Sequence, residues 1–230
     1  MNQTIVQNQS ILTNIVAKDF YFVRWPLLGY LIIGLLALTI LASLPEKGFY
    51  LALVLVMSSI IIVGAHLIFS TVIGERKDKT LPFLMGLPVN YNQYTSAKLI
   101  VNLVGFVIPW AILTCAMLAI ILVNDTLKDG LVPFFSIVLT ELLVAHVLIL
   151  ATAMITESEA WSIVVMTICN ISVSLFSMFV SGFSDINQFM QSDDIVWNST
   201  SITMLVLEVI VILLLVGVIY AVQSRKTDFL

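Results

Sequence analysis

Six long apolar runs, separated by short polar segments, constrain the fold of this chain more than any other feature. A helix needs about 20 apolar residues to cross the hydrocarbon core of a bilayer, and each run is close to that length. The runs are continuous and do not alternate between apolar and polar residues, which excludes a transmembrane β-barrel. The sequence therefore predicts an all-α integral membrane protein, with one transmembrane domain over residues 1–230. The predicted spans cover residues 27–44, 49–73, 99–123, 131–155, 160–180 and 202–222.

The composition agrees with a membrane protein. Only 10% of the residues are charged and 60% are hydrophobic, whereas a soluble domain usually carries about 25% charged residues. Cys115 and Cys169 both lie in apolar runs, so we interpret them as small apolar side chains and expect neither a disulfide nor a metal site. The N-terminus has no basic start and no apolar core, so no cleaved signal peptide is expected.

The distribution of Lys and Arg predicts the orientation of the spans. With the N-terminus inside, the inner segments hold eight of these residues and the outer segments hold two. Basic residues are enriched in cytoplasmic loops, so we expect a multi-pass protein of the cytoplasmic (inner) cell membrane with both termini in the cytoplasm. The eight inner residues are Lys18, Arg24, Arg76, Lys77, Lys79, Lys98, Arg225 and Lys226, and the two outer ones are Lys47 and Lys128.

The residues before the first span show a helical pattern of their own. Over 10–25, apolar residues recur at three- and four-residue spacing with polar residues between them. This pattern predicts an amphipathic helix in the cytoplasmic interface, with Arg24 and Trp25 at the headgroups and a bend at Pro26. A simple anchor and a mechanical role both remain open for this helix.

The most polar long segment, 74–98, follows the second span. Its first part predicts a short helix with charges on one face and apolar residues on the other, which ends at the Gly86-Leu87-Pro88 turn. The part from Tyr91 predicts a helix that re-enters the bilayer, with Lys98 as a snorkelling anchor. An ordered segment of this kind is typical of a docking element, although a solvated loop is the alternative.

These residues also carry a resemblance to a known family. The pattern E-x-x-x-x-T-L-x-x-L-x-x-L-P-V-x-x-x-x-Y-x-x-x-K-L after the second of six spans resembles that of the permease subunits of ABC type-2 exporters. The basic tail after span six and the helix before span one match the same layout. The residues that match are Glu75, Thr80, Leu81, Leu84, Leu87, Pro88, Val89, Tyr94, Lys98 and Leu99.

The resemblance implies a transport complex. Two permease chains, identical or different, form the pathway, and two copies of a separate ATPase subunit bind ATP and Mg²⁺ and dock on them. This chain has no G-x-x-x-x-G-K-[ST] phosphate loop, so we expect it to bind no cofactor itself. Drugs, antimicrobial peptides, lipids and ions are all substrates that the family would allow.

The resemblance also implies where the ATPase docks. The main coupling helix follows span two, and a shorter contact lies between spans four and five. One departure is Lys79, because a glycine often precedes the Thr-Leu pair in this family. The coupling residues expected from the resemblance are Glu75, Arg76, Lys79, Thr80, Leu81, Phe83 and Leu84, with Glu157 and Glu159 in the shorter contact.

Four ionisable residues inside the predicted spans, His66, Glu141, His146 and Glu208, are candidates for the pathway because such groups are costly in a bilayer. Glu141 is ten residues into span four, about 15 Å deep. It either lines a pathway or makes a structural hydrogen bond. His146, about 140° further round the helix, does not share its face, and both histidines are typical of core residues. Glu208 lies on the outer side of span six, within reach of headgroup water.

Two other classes of membrane protein could share this topology. An intramembrane hydrolase would need a motif such as H-E-x-x-H or G-x-S-x-G, and neither occurs in the sequence, so we expect no catalytic residues. A non-transporting membrane scaffold or sensor would have the same topology and is the alternative to a transporter. No nucleic-acid partner is expected.

Overall fold

The structure, a computed structural model, describes residues 2–77 and 91–225 of the chain, and the side chains within 12–75, 77 and 93–225. The described residues form helices joined by turns and bends. In chain order the helices are α1 (Asn2–Ser43), α2 (Phe49–Ile68) with a π-helical end (Phe69–Ile73), α3 (Gly74–Lys77), α4 (Tyr91–Val123), α5 (Leu131–Thr156), α6 (Glu159–Ser181), α7 (Ser184–Asn187) and α8 (Ser199–Gln223).

All six predicted spans are confirmed as long apolar helices. Each is long enough and apolar enough to cross a membrane. The first and third extend further than predicted, toward the same end of the bundle. The helical spans are Leu12–Ser43, Phe49–Ile73, Gln93–Val123, Leu131–Thr156, Glu159–Ser181 and Ser199–Gln223.

The connections meet at two opposite ends of the bundle, which we name by their charge. The acidic face comprises 44–48, 124–130 and 182–198, and the backbone N–H of Gly130 there donates to the carbonyl of Ser192 at 3.0 Å. The basic face comprises the start of α1, the ends of α2 and α5, α3, the starts of α4 and α6, and the end of α8. The Gln223 side chain donates to the carbonyl of Met154 on this face.

The predicted bend at Pro26 is not observed, because α1 is one helix of 42 residues that includes this proline. At 1.5 Å per residue it is about 63 Å long, much longer than a bilayer core is thick. Proline removes one backbone donor, but helices of membrane proteins tolerate it when neighbouring groups satisfy the freed carbonyl. Ile15, Asp19 and Val23 are buried at four-residue spacing, so this face of the predicted interfacial helix packs on protein.

Helix α5 is the centre of the bundle. It packs against α2, α4, α6 and α8, and most of its residues are buried. Helices α6 and α8 both pack on α5 but hardly contact one another. Their outer surfaces are strongly apolar, with residues such as Leu175, Met178 and Leu213 more than 60% exposed. Surfaces of this kind require lipid or another protein chain as a neighbour.

Candidate functional site

A cavity of about 590 Å³ lies where α6 and α8 diverge over α5. Its wall is mainly apolar and includes Phe176, Phe179 and Phe183. Two acidic side chains, Glu141 from α5 and Glu208 from α8, also line it. The volume is in the range of small-molecule sites, which combine apolar walls with a few polar groups.

The two carboxylates lie at nearly the same depth in the bundle. Both α5 and α8 begin at the acidic face, and Glu141 and Glu208 are ten and nine residues from these helix starts. At 1.5 Å per residue both are about 14–15 Å from that face. The prediction that Glu208 reaches headgroup water is wrong, because its side chain is buried and only 6% exposed. The predicted span began at 202, but α8 itself begins at Ser199. Counting from the later start made Glu208 seem closer to the membrane surface than it is.

The cavity is electrostatically unusual because, in the described part of the chain, no cation lines it beside the two carboxyl groups. Neither carboxylate oxygen of Glu208 has a hydrogen-bond partner within the part of the chain that the structure describes. The side chains of Glu141 and Glu208 line the same cavity, and none of the described lining residues is basic. Burying a carboxylate without a partner costs free energy, so stability alone does not account for this arrangement.

His146 does not line this cavity. Its ring stacks on Phe106 with centroids 4.0 Å apart, and its Nε2 donates to the backbone carbonyl of Asn102 at 3.2 Å. Its side chain is buried and lies at the contact between α4 and α5. The expectation that His146 and Glu141 occupy different faces of α5 is therefore confirmed, and the contacts of His146 are those of a core residue.

His66 is also separate from the cavity. It lies on α2, partly buried, with its ring at an edge-to-face distance of 5.7 Å from Tyr30. Its Nε2 is 3.3 Å from the hydroxyl of Ser70. Of the four candidates from the sequence, the structure brings together only Glu141 and Glu208.

A second polar cluster, which we call the buried ion network, lies toward the basic face. Lys98 is fully buried, and its Nζ is 2.6 Å from Asp19 Oδ2 and 2.7 Å from Glu75 Oε2. The interpretation of Lys98 as a snorkelling anchor is therefore wrong. The two carboxylates, on α1 and α3, attract the ammonium group into the bundle more strongly than the headgroup region does, because the pairing occurs where water is largely excluded.

Two further side chains complete the buried ion network. Lys18 Nζ lies 2.5 Å from Glu75 Oε1 and 3.3 Å from Asp19 Oδ1, and the Tyr94 hydroxyl donates to Glu75 Oε2 at 3.3 Å. Burial alone would raise the pKa of the Glu75 carboxyl, but the adjacent Lys98 and Lys18 outweigh burial and lower its pKa below the ordinary value. The network thus ties α1 to both sides of the segment between α3 and α4.

Most of the coupling residues predicted after span two lie outside the described residues. These are Lys79, Thr80, Leu81, Phe83 and Leu84. The backbone of Arg76 belongs to α3, but its side chain is not among those that the structure describes. Glu75 is placed, and it points into the buried ion network, with only 8% of its surface exposed. In the structure it holds α3 in place just before the segment for which coupling was predicted.

The two predicted contact segments are neighbours on the basic face. Lys77 Nζ is 3.3 Å from Glu159 Oε1, which joins the end of α3 to the start of α6. Glu157 precedes this helix and is exposed, with φ of 57° in the left-handed region. Trp161, the third residue of α6, is 60% exposed. We call Lys77, Glu157, Glu159 and Trp161 the basic-face patch.

Sequence reasoning did not identify Lys18 and Asp19 as partners of Lys98, or the three phenylalanines as the wall of a cavity. The only sequence signal was an adjacent acid and base in α1 near the predicted membrane surface. Within the described ranges, no group of three His, Cys, Asp or Glu side chains could hold a metal ion. In comparisons with known proteins, no protein-family model, curated protein or solved structure matches the chain.

Proposed function

We propose that this chain is the membrane-spanning permease subunit of an ATP-driven exporter of the ABC type-2 kind. The observation that carries the proposal is the cavity with Glu141 and Glu208 at the depth of the bilayer core. A transporter needs a site that a substrate can reach within the membrane, and ionisable residues at such depth typically mark substrate or ion pathways. A scaffold that binds no ligand would not need a buried carboxylate that has no hydrogen-bond partner among the described residues.

The coupling part of the proposal rests on the resemblance and on the basic-face patch. The family would place its main ATPase contact after span two and its shorter one between spans four and five. The Lys77–Glu159 ion pair supports this placement because it makes the two segments neighbours on one surface. The buried ion network would supply a rigid base for the coupling segment, since it anchors both of its ends to α1.

The proposed orientation puts the basic face in the cytoplasm. It can be tested with single cysteines at the exposed positions Asp125 and Ser224, in a chain with Cys115→Ala and Cys169→Ala. A membrane-impermeant maleimide added outside intact cells should label Asp125→Cys and should label Ser224→Cys only after the cells are opened. Labelling of both from outside, or of Ser224→Cys alone, would contradict this orientation.

Docking of the ATPase is the central test of the proposal. When co-expressed with a cognate ATPase, the double variant Phe83→Ala, Leu84→Ala should lose most of the co-purified ATPase. Each buried apolar anchor of an interface contributes on the order of 1–3 kcal/mol. The measurement is the ATPase-to-permease ratio after purification, together with ATP hydrolysis by the complex in lipid.

A charge variant of the same segment is the matched control. Arg76→Ala should weaken docking less and in a salt-dependent way, because charges at the rim of an interface mainly affect register and association rate. Full retention of the ATPase and of its activity by the double variant would reject the docking role. If no ATP hydrolysis depends on this chain at all, the scaffold or sensor alternative would be favoured.

A further inference from the structure

We propose that the cavity between α5, α6 and α8 binds a hydrophobic organic cation that enters from the lipid. This inference rests on the proposed function, because it names the ligand class of the same transport site. Four observations support it: the buried carboxyl group of Glu208, which has no hydrogen-bond partner among the described residues, the second carboxyl group of Glu141, the aromatic wall, and the open side of the cavity.

The charge of the cavity determines the sign of the ligand. Glu208 is 94% removed from solvent contact, since its exposed fraction is 6%, and it lines the cavity together with Glu141. A bound cation would offset the cost of burying these carboxylates and their mutual repulsion. An anion would meet two acidic groups and no basic residue in the described lining of the cavity.

The wall of the cavity determines the chemistry of the cation. Phe176, Phe179 and Phe183 present aromatic surface, and the rings of Phe179 and Phe183 already meet edge to face at 4.9 Å. Aromatic faces attract cations, most strongly where water is excluded. Small metal cations require a shell of oxygen ligands, whereas a cation with apolar substituents fits a mainly apolar wall. A volume of about 590 Å³ accommodates a ligand of drug size.

The open side of the cavity determines the route of entry. Helices α6 and α8 hardly contact one another, and residues at the cavity edge are well exposed, with Phe179 at 60% and Leu207 at 55%. These side chains lie on the surface that a bilayer would cover. Leu207 is eight residues into α8 from the acidic face, and Phe179 lies nearer that face, two residues before the end of α6. A ligand dissolved in the lipid can therefore reach the carboxylates without crossing the acidic face.

The test uses three probes of nearly the same shape and different charge, with the purified full-length chain in lipid nanodiscs. The probes are tetraphenylphosphonium, tetraphenylborate and neutral tetraphenylsilane, and binding is measured by equilibrium dialysis. The wild type should bind the phosphonium ion in preference to the other two. Glu208→Gln should lower its affinity by roughly tenfold to a hundredfold, the scale of one lost interaction with a charged group.

Two variants make the result interpretable. Glu141→Gln combined with Glu208→Gln should abolish the preference for the cation and improve binding of the borate. Glu46→Gln, on the acidic face and outside the cavity, should leave all three affinities unchanged. Equal affinity of the double variant and the wild type for the phosphonium ion would overturn the proposal, as would equal affinity of the wild type for all three probes.

A second copy of the chain is the other possible occupant of the cavity. If a cysteine at Leu207 cross-links efficiently to a second chain and the phosphonium ion gives no protection, the cavity is a subunit contact and the proposal is wrong. Protection by the phosphonium ion, with none by the borate, would support it. This assay needs no ATPase, so failure of cation binding with intact ATPase docking would reject the ligand class and leave the exporter function standing.

Discussion

Replacing Lys98 with methionine is expected to lower the stability of the folded chain by about 3–5 kcal/mol, the cost of removing one partner from a buried ion pair. Methionine retains most of the volume of lysine, so the loss reports the charge and not a cavity. Without the Lys98 ammonium, the buried carboxylates of Asp19 and Glu75 lose their fully buried cation, and the neighbouring Lys18 is itself partly exposed.

The matched control is a lysine whose ion pair is equally short but exposed. Lys128 Nζ is 2.6 Å from Asp193 Oδ1, and the side chains are 40% and 84% exposed. Lys128→Met should therefore cost no more than about 1 kcal/mol. Thermal unfolding of both variants in the same detergent measures the difference, and adding Asp19→Asn to Lys98→Met should recover part of the loss. Equal effects of the two lysine variants would show that the ion network contributes no more than a surface pair.

The spans could be predicted because the bilayer imposes a length on them. Each membrane helix must be apolar over about 20 residues, and this requirement leaves a signal in the sequence that no tertiary contact needs to supplement. The depth of Glu141 followed from the same counting. The position of Pro26 was misleading because a proline breaks helices in water more consistently than in a packed membrane bundle.

The partners of charged residues could not be predicted in the same way. The position of Lys98 near the start of a span is compatible with a snorkelling side chain and with a buried one. Only the tertiary fold decides between them, since Asp19 is 79 residues away along the chain. The cavity could not be predicted for the same reason, because Glu141 and Glu208 become neighbours only through the packing of α8 on α5.

Close approach of helices is a third property that the sequence did not reveal, and it leads to a second large expected effect. Gly64→Leu should destabilise the chain by about 3 kcal/mol, the upper end of the usual cost of overpacking a core. A Cβ atom at Gly64 would lie 2.8 Å from His146 Nδ1 and 3.0 Å from Cε2 of Phe106. Both rings are buried, and they are stacked on each other.

Neither ring can move aside without losing other contacts. His146 is held by its hydrogen bond to the carbonyl of Asn102, and the Asn102 amide donates in turn to Thr71 Oγ1 at 2.9 Å on the π-helical end of α2. Gly64 therefore lets α2 approach α4 and α5 closely, as small residues do between membrane helices.

Gly29→Leu is the control for Gly64→Leu, because an added Cβ there meets no atom within 4 Å in the described part of the chain. Its effect on stability should be small, since Gly29 lies on an exposed side of α1. The midpoint of thermal unfolding and the folded fraction in gel filtration should fall for Gly64→Leu and remain near wild type for Gly29→Leu. If both variants behave alike, α2 has room to move away from the stacked rings, and the contact of the three helices at Gly64 is looser than its distances indicate.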